Sequence, residues 1–165
     1  QTGKYRRILG EFMTKEVLIS ISGLHMGMNE MESEDSEPIE VLSAGNYYCK
    51  NGKSYLFFEE AVEGFREVIK TQIRWQGSEI LEVSKKGLSN MNMVFEKNKK
   101  NHCYYQTPYG QLNLGIFTTD ITVEETEDNI NICAEYEMDV NHEPLAECTI
   151  RINVQPRESK EFTIL

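Results

Sequence analysis

The sequence lacks the long apolar runs that characterise helical membrane proteins. A membrane-spanning helix needs about 20 consecutive apolar residues, and no stretch of these 165 residues approaches that length. A signal peptide, with a charged start and an apolar centre, is also not found. We therefore expect a cytoplasmic protein that does not contact a membrane.

Cysteine is scarce and is not spaced for metal binding or redox chemistry. The chain has 4 cysteines, and no two of them form the C-x-x-C pair of zinc ribbons and thioredoxin-like proteins. Each lies in an apolar or aromatic stretch, where free cysteine usually behaves as a small buried hydrophobic residue. We expect four reduced, structural thiols: Cys49, Cys103, Cys133 and Cys148.

Motifs for catalysis and cofactor binding are missing as well. The sequence contains no G-x-S-x-G nucleophile elbow, no G-x-G-x-x-G dinucleotide loop and no Walker phosphate loop. His25, His102 and His142 have no metal-ligand spacing among them. We predict a protein that is not an enzyme and that holds no cofactor and no metal.

Basic residues are outnumbered, with 17 Lys and Arg against 27 Asp and Glu, for a net charge of −10. So acidic a surface repels phosphate backbones and anionic lipid heads. Nucleic acid and membranes are therefore not expected as partners.

Residues 1–12 (QTGKYRRILGEF) look foreign to the rest of the chain. The dipeptide Glu11-Phe12 is what an EcoRI cloning site encodes in frame, so we interpret this segment as a leader derived from a cloning vector. Lys4, Arg6 and Arg7 outweigh Glu11, so the leader contributes +2 and residues 13–165 carry −12. We expect residues 13–165 to form one domain.

What the sequence does contain is alternation of apolar and polar residues over short stretches. Every second residue from Ile130 to Val140 is apolar, which is typical of a strand with one buried face. Asn51-Gly52 predicts a tight hairpin, because both turn positions need positive φ. Similar strand-like stretches cover residues 15–25, 38–49, 55–60, 66–76, 79–84, 91–97, 102–107, 111–119 and 145–154. Only residues 59–66 resemble a helical turn.

About ten strands with one apolar face each must bury that face together, and short connections favour antiparallel neighbours. The sequence therefore predicts an all-β fold, an antiparallel up-and-down β-barrel of about 8–10 strands with little helix. A β-sandwich satisfies the same alternation and is the alternative. Residues 28–37 (MNEMESEDSE) interrupt the pattern, and their mutually repelling carboxylates predict a hydrated, mobile loop, either a solvated tip or a lid over the barrel.

Several stretches resemble the DUF1934 family, which are small bacterial cytoplasmic proteins. The resemblance covers residues 13–155 and is carried by KEVLISI (residues 15–21), YYCKNGK (47–53), MVFE (93–96) and YYQTPYG (104–110), followed by Gly115-Ile116-Phe117. It implies a calycin-like, lipocalin-related β-barrel without assigned catalytic residues. At most, it implies a cavity for a small, largely apolar molecule, because a shared fold does not establish a shared ligand.

The predicted apolar interior is large and aromatic, and we take its residues as the candidate ligand site. These residues are Trp75, Met93, Phe95, Tyr105, Tyr109, Phe117 and Tyr136. An eight-stranded interior is just wide enough to be filled by side chains or to hold one small ligand. Tyr109 lies in the turn Thr107-Pro108-Tyr109-Gly110, which serves either as a structural corner or as a gate.

Three kinds of function remain open. The first hypothesis is a non-enzymatic binding module for a small hydrophobic molecule in the barrel. The alternative is a solid-core interaction protein that works through its outer surface, as a homodimer or with a protein partner. A calycin-type enzyme ranks third, because it requires an inward polar cluster, such as Arg74 or Arg151 beside a tyrosine, that the pattern does not show.

Overall fold

The computed structural model describes residues 15–23, 40–88, 90–107 and 110–157. All ten elements of this part of the chain are strands: β1 (Lys15–Ser22), β2 (Glu40–Lys50), β3 (Lys53–Ala61), β4 (Val68–Gln76), β5 (Ile80–Gly87), β6 (Met91–Glu96), β7 (Lys100–Thr107), β8 (Gly110–Glu125), β9 (Ile130–Val140) and β10 (Glu143–Pro156). The leader predicted at residues 1–12, the acidic loop at 28–37, His25 and Tyr109 lie outside the described residues.

The strands form one continuous antiparallel sheet in the order β6-β5-β4-β3-β2-β1-β10-β9-β8-β7. Except for β6 and β7, strands that follow one another along the chain are neighbours in the sheet, and β1 pairs with β10 from Val17↔Pro156 to Ser22↔Arg151. The two edge strands, β6 and β7, lie side by side without forming a ladder. The wall is thus a nearly closed up-and-down barrel, which confirms the predicted fold class. A sandwich would require two stacked sheets.

Local turn chemistry sets the hairpins. Asn51 (φ 53°) and Gly52 (φ 78°) both adopt positive φ, as the Asn-Gly pair predicts. Asn141 (φ 49°) and His142 (φ 72°) do the same between β9 and β10. The helical turn considered for residues 59–66 is not formed, because β3 continues to Ala61 and the chain then turns toward β4.

Apolar side chains pack on the inner face of the barrel and form its core. Leu56 and Phe58 both point inward, which shows that the even-numbered residues at the centre of β3 face the interior. Tyr105 packs against the core whereas Tyr104 is 60% exposed. An irregularity between Thr118 and Asp120 shifts the register of β8 against β9, a feature that lets so long a strand bend with the barrel.

The four cysteines are free thiols, as predicted. Cys103 is buried, whereas Cys133 and Cys148 are half-buried. Cys49 is exposed near the end of β2, so it does not act as a buried hydrophobic residue. The described residues contain no helix that is long and apolar enough to cross a membrane.

Candidate functional site

Four of the predicted ligand-binding residues lie in the packed interior of the barrel. Trp75, Met93, Phe95 and Tyr136 are each at most 3% exposed. The rings of Phe95 and Tyr136 meet edge to face with their centroids 4.9 Å apart, and Trp75 stacks on Tyr47 at 6.1 Å. Burial also raises the pKa of Tyr136, so its hydroxyl stays neutral. Neighbouring side chains of the core therefore surround these four residues.

Of the other three predicted residues, Tyr105 packs against this core from the side and Phe117 does not. Tyr105 is half-buried near the end of β7. Phe117 points to the outer face, because both of its neighbours in β8 are fully buried on the inner face. Tyr109 lies outside the described residues.

A small cavity of about 170 Å³ opens at the end of the barrel near the β8–β9 turn. Val17, Ile130 and Val154 line it together with Tyr47, whose hydroxyl lies 3.3 Å from Ser54 Oγ. Burial raises the pKa of Tyr47. This volume is below the roughly 300 Å³ at which small-molecule pockets begin.

A larger cavity, of about 650 Å³, lies on the outer face of strands β2 to β6. We call it the outer groove. Its floor is a row of cross-strand neighbours, one from each strand: Asn46, Phe57, Gln72, Ser84 and Asn92. Its volume falls in the range of roughly 300–1,000 Å³ that is typical of small-molecule sites.

The outer groove lies where β2 and β3 separate. The two strands pair only from Asn46↔Phe57 to the hairpin turn. Beyond that point, residues 40–45 pair with β1 and residues 58–61 pair with β4. Gly45 occupies the point of separation, where a Cβ atom would lie 2.4 Å from the carbonyl oxygen of Phe57. A glycine is needed there because the two backbones approach so closely.

Charged side chains flank the floor on both sides. On one side, Glu59, Lys70 and Lys86 are cross-strand neighbours. Neither lysine forms an ion pair with a described residue. On the other side, Arg74 donates a hydrogen bond to Glu82, and this bond raises the pKa of Arg74. Arg74 therefore has an ion-pair partner in the groove, whereas neither lysine forms an ion pair with a described residue.

An aromatic ladder borders the groove at β2 and β3. The ring of Tyr48 stacks on Tyr55 with centroids 4.7 Å apart and on Phe57 at 5.6 Å. Partial burial raises the pKa of Tyr48. Because Phe57 belongs to the floor, the groove combines an aromatic end with uncompensated positive charge.

Two other polar regions make weaker sites because their groups already bond to one another. In a cavity of about 340 Å³ on the outer face of β1 and β8–β10, Asn153 Nδ2 donates to Asn131 Oδ1 at 2.7 Å. Inside the barrel, Glu60 accepts from Thr71 at 3.0 Å and pairs with Lys85 at 3.4 Å. In both regions these side chains already use part of their hydrogen-bonding capacity on one another.

The outer face of β7–β9 holds a third cluster that the sequence did not reveal. Lys100 Nζ lies 2.5 Å from Asp139 Oδ2, and this hydrogen bond holds the pKa of Asp139 below its usual range, with smaller contributions from His142 and His102. The two imidazole rings lie 6.3 Å apart, although 40 positions separate them in the chain. The described residues nevertheless contain no group of three side chains able to hold a metal ion.

Sequence reasoning missed the outer groove. Lys70, Gln72 and Ser84 occupy polar positions of their strands, and such positions usually face solvent without a specific role. The alternation of apolar and polar residues does place these three residues on the outer face of their strands. It does not show which residues of neighbouring strands lie side by side. The two arginines of the enzyme hypothesis, Arg74 and Arg151, both lie on the outer face rather than inside the barrel.

The fold and the packed interior define an up-and-down β-barrel protein with its larger described cavity outside the wall. The family model described as "Domain of unknown function (DUF1934)" matches residues 24–152, and the chain belongs to this family. It is 30% identical to the "Uncharacterized beta-barrel protein YwiB" of Bacillus subtilis (strain 168) over 121 residues. This alignment covers 73% of this chain and 82% of that protein. The crystal structure of the Bacillus subtilis ywiB protein matches 87% of this chain and 92% of its own, with a TM-score of 0.67 and 20% identity. That likeness shows the fold alone.

Proposed function

We propose that this protein is a non-enzymatic binding module that takes a small molecule in the outer groove rather than in the barrel interior. The observation that carries this proposal is the position of the 650 Å³ cavity on the outer face of β2–β6. Ligand sites are concave and offer a few convergent polar groups around an apolar surface. The outer groove provides amides, a hydroxyl and one aromatic ring on a rigid sheet.

The packing of the interior supports this location. Trp75, Phe95 and Tyr136 contact other core side chains and are almost fully buried. A hydrophobic guest among them would have to displace close-packed side chains, which costs free energy. No such displacement is needed in the outer groove.

The test is an NMR titration with a library of small fragments. Backbone amides of Gln72, Ser84 and Asn92 report on the outer groove, and the ε-methyl group of Met93 reports on the interior. We expect binding fragments to shift the three amides and to leave the methyl signal unchanged.

Two variants give the matched comparison. Gln72→Trp places a large ring in the floor of the groove and should abolish the shifts. Thr122→Trp makes the same change at an exposed position on the outer face of β8 and should leave binding unchanged. Shifts of Met93 that persist in Gln72→Trp would instead place the ligand in the barrel, and a library without any hit in the groove would overturn the proposal.

A further inference from the structure

The charge pattern of the outer groove assigns a class to its ligand: we propose a small anion that carries an aromatic ring. This inference rests on the proposed function, because it names what the same groove binds. Three features carry it: a pair of lysines that form no ion pair with a described residue, an aromatic surface on the neighbouring strand, and a neutral amide beside both.

The lysine pair is the first feature. Lys70 and Lys86 are direct cross-strand partners on the outer face, and like charges in that relation destabilise a sheet. Glu59 is the register neighbour of Lys70, yet no described carboxylate forms an ion pair with either ammonium group. A bound anion would relieve this repulsion.

The charge of the lysine pair contrasts with that of the whole chain. The protein carries −10, whereas the groove has Lys70, Arg74 and Lys86 against Glu59 and Glu82, an excess of one positive charge. The lysine pair therefore lies in a locally positive region that attracts anions, on a protein whose net charge repels them.

The aromatic surface is the second feature. Phe57 is half-buried in the floor, and Tyr48 stacks against it with an angle of 15° between the ring planes. Aromatic rings favour offset stacking and contribute beyond their buried area. The stack holds the Phe57 ring in place, so a planar ligand group meets a rigid surface.

The spacing is the third feature. Lys70 and Gln72 are two residues apart on β4, which is roughly 7 Å along a strand, and adjacent strands are about 4.8 Å apart. Phe57 is paired with Gln72. A short linker between the aromatic ring and the anionic group of a ligand can therefore span the distance from Phe57 to the lysine pair. Gln72 lies beside both Phe57 and Lys70 and offers an amide donor and acceptor to a heterocycle, whereas Ser84 Oγ already donates to Asn92 Oδ1 at 2.8 Å.

The experiment measures the affinity of the full chain for four probes by isothermal titration calorimetry at two salt concentrations. Adenosine 5′-monophosphate carries a ring and a phosphate, and 1-naphthylacetate carries a ring and a carboxylate. Adenosine lacks the anion, and inorganic phosphate lacks the ring. We expect at least one of the two complete probes to bind at least about tenfold more tightly than both partial probes, and its binding to weaken with salt.

The variant Lys70→Met/Lys86→Met removes the pair and should weaken binding of the complete probes at least about tenfold, because charge-assisted hydrogen bonds are lost. Lys97→Met/Lys99→Met makes the same change in net charge at the β6–β7 turn, outside the outer groove, and should leave affinity unchanged. Circular dichroism of both variants checks that the barrel is folded.

The outcomes separate this inference from the proposed function. If neutral fragments shift the groove amides but neither complete probe binds better than the partial ones, the groove is a binding site and the anionic aromatic class is wrong. An equal loss of affinity in both lysine variants would also overturn the inference, since binding would then follow net charge alone. If no fragment and no probe reaches the groove, both proposals fail.

Discussion

Gly45 offers a direct test of the separation between β2 and β3 that produces the outer groove. A Cβ atom at this position would lie 2.4 Å from Phe57 O, 2.8 Å from Ile19 Cδ1 and 3.0 Å from Phe58 Cβ. Ordinary contacts between such atoms are about 3.5 Å or longer. Gly45→Ala therefore forces the two strands apart by about 1 Å, because the carbonyl oxygen belongs to a backbone held by the β3–β4 ladder.

The magnitude follows from two opposing contributions. Inserting a methyl group into a close-packed site costs about 1–3 kcal/mol. Replacing glycine by alanine returns about 0.4–1 kcal/mol, because the unfolded chain loses conformational freedom. We expect a net loss of about 1.3 kcal/mol in the free energy of unfolding, which for a chain of this size lowers the Tm by about 3–5 °C.

Urea denaturation measures this loss, with the fluorescence of the single tryptophan, the buried Trp75, as the signal. Ala44→Ser is the control, because Ala44 is exposed on the outer face beside Gly45, and it should change the free energy by less than about 0.5 kcal/mol. If Gly45→Ala were as stable as the unsubstituted protein, the two backbones would not approach as described, and the geometry of the groove would be wrong.

Three further substitutions test individual contacts. Lys86→Glu should raise the free energy of unfolding by about 0.2–1 kcal/mol, because it puts a carboxylate opposite Lys70; a lower value in urea denaturation would contradict the like-charge contact. Thr118→Val should be neutral or stabilising by up to about 1 kcal/mol, because the Thr118 hydroxyl is buried without a hydrogen-bond partner; a clear loss in thermal unfolding would show that this hydroxyl is bonded. Lys100→Met should cost about 1 kcal/mol at pH 7, a value limited by the partial exposure of the lysine. Because Lys100 holds the pKa of Asp139 low, this stabilisation is present above the unfolded-state pKa of about 4 and is lost as the pH falls through the folded-state pKa; a cost that does not change with pH would contradict the ion pair.

Strands β8 and β9 show what the alternation of apolar and polar residues can predict and what it cannot. The alternation from Ile130 to Val140 predicted a strand, and β9 has those bounds. The same reasoning placed Phe117 in the interior, but the structure turns it outward. A strand position can be assigned to the core only when its phase is known, and a shift of one residue exchanges the two faces.

The sequence pattern also could not show whether the predicted interior site is open or filled. A run of bulky inward residues predicts an apolar interior, and the interior is apolar. The pattern does not predict whether these side chains fill the interior completely. Filling depends on how Phe95, Tyr136 and their neighbours interdigitate across strands that are distant in the chain.

The amino-acid sequence by itself determined the strands, most of their inward and outward faces and the Asn-Gly hairpin, because each follows from local periodicity and turn chemistry. It favoured an up-and-down barrel, but the strand order of the structure was needed to separate a barrel from a sandwich. Only the tertiary structure decided the register between strands, the separation of β2 from β3 and the meeting of Lys70 with Lys86. These features arise from backbone pairing across the whole sheet, in which residues far apart in the chain become neighbours. A local sequence pattern does not predict which of these distant residues will pair.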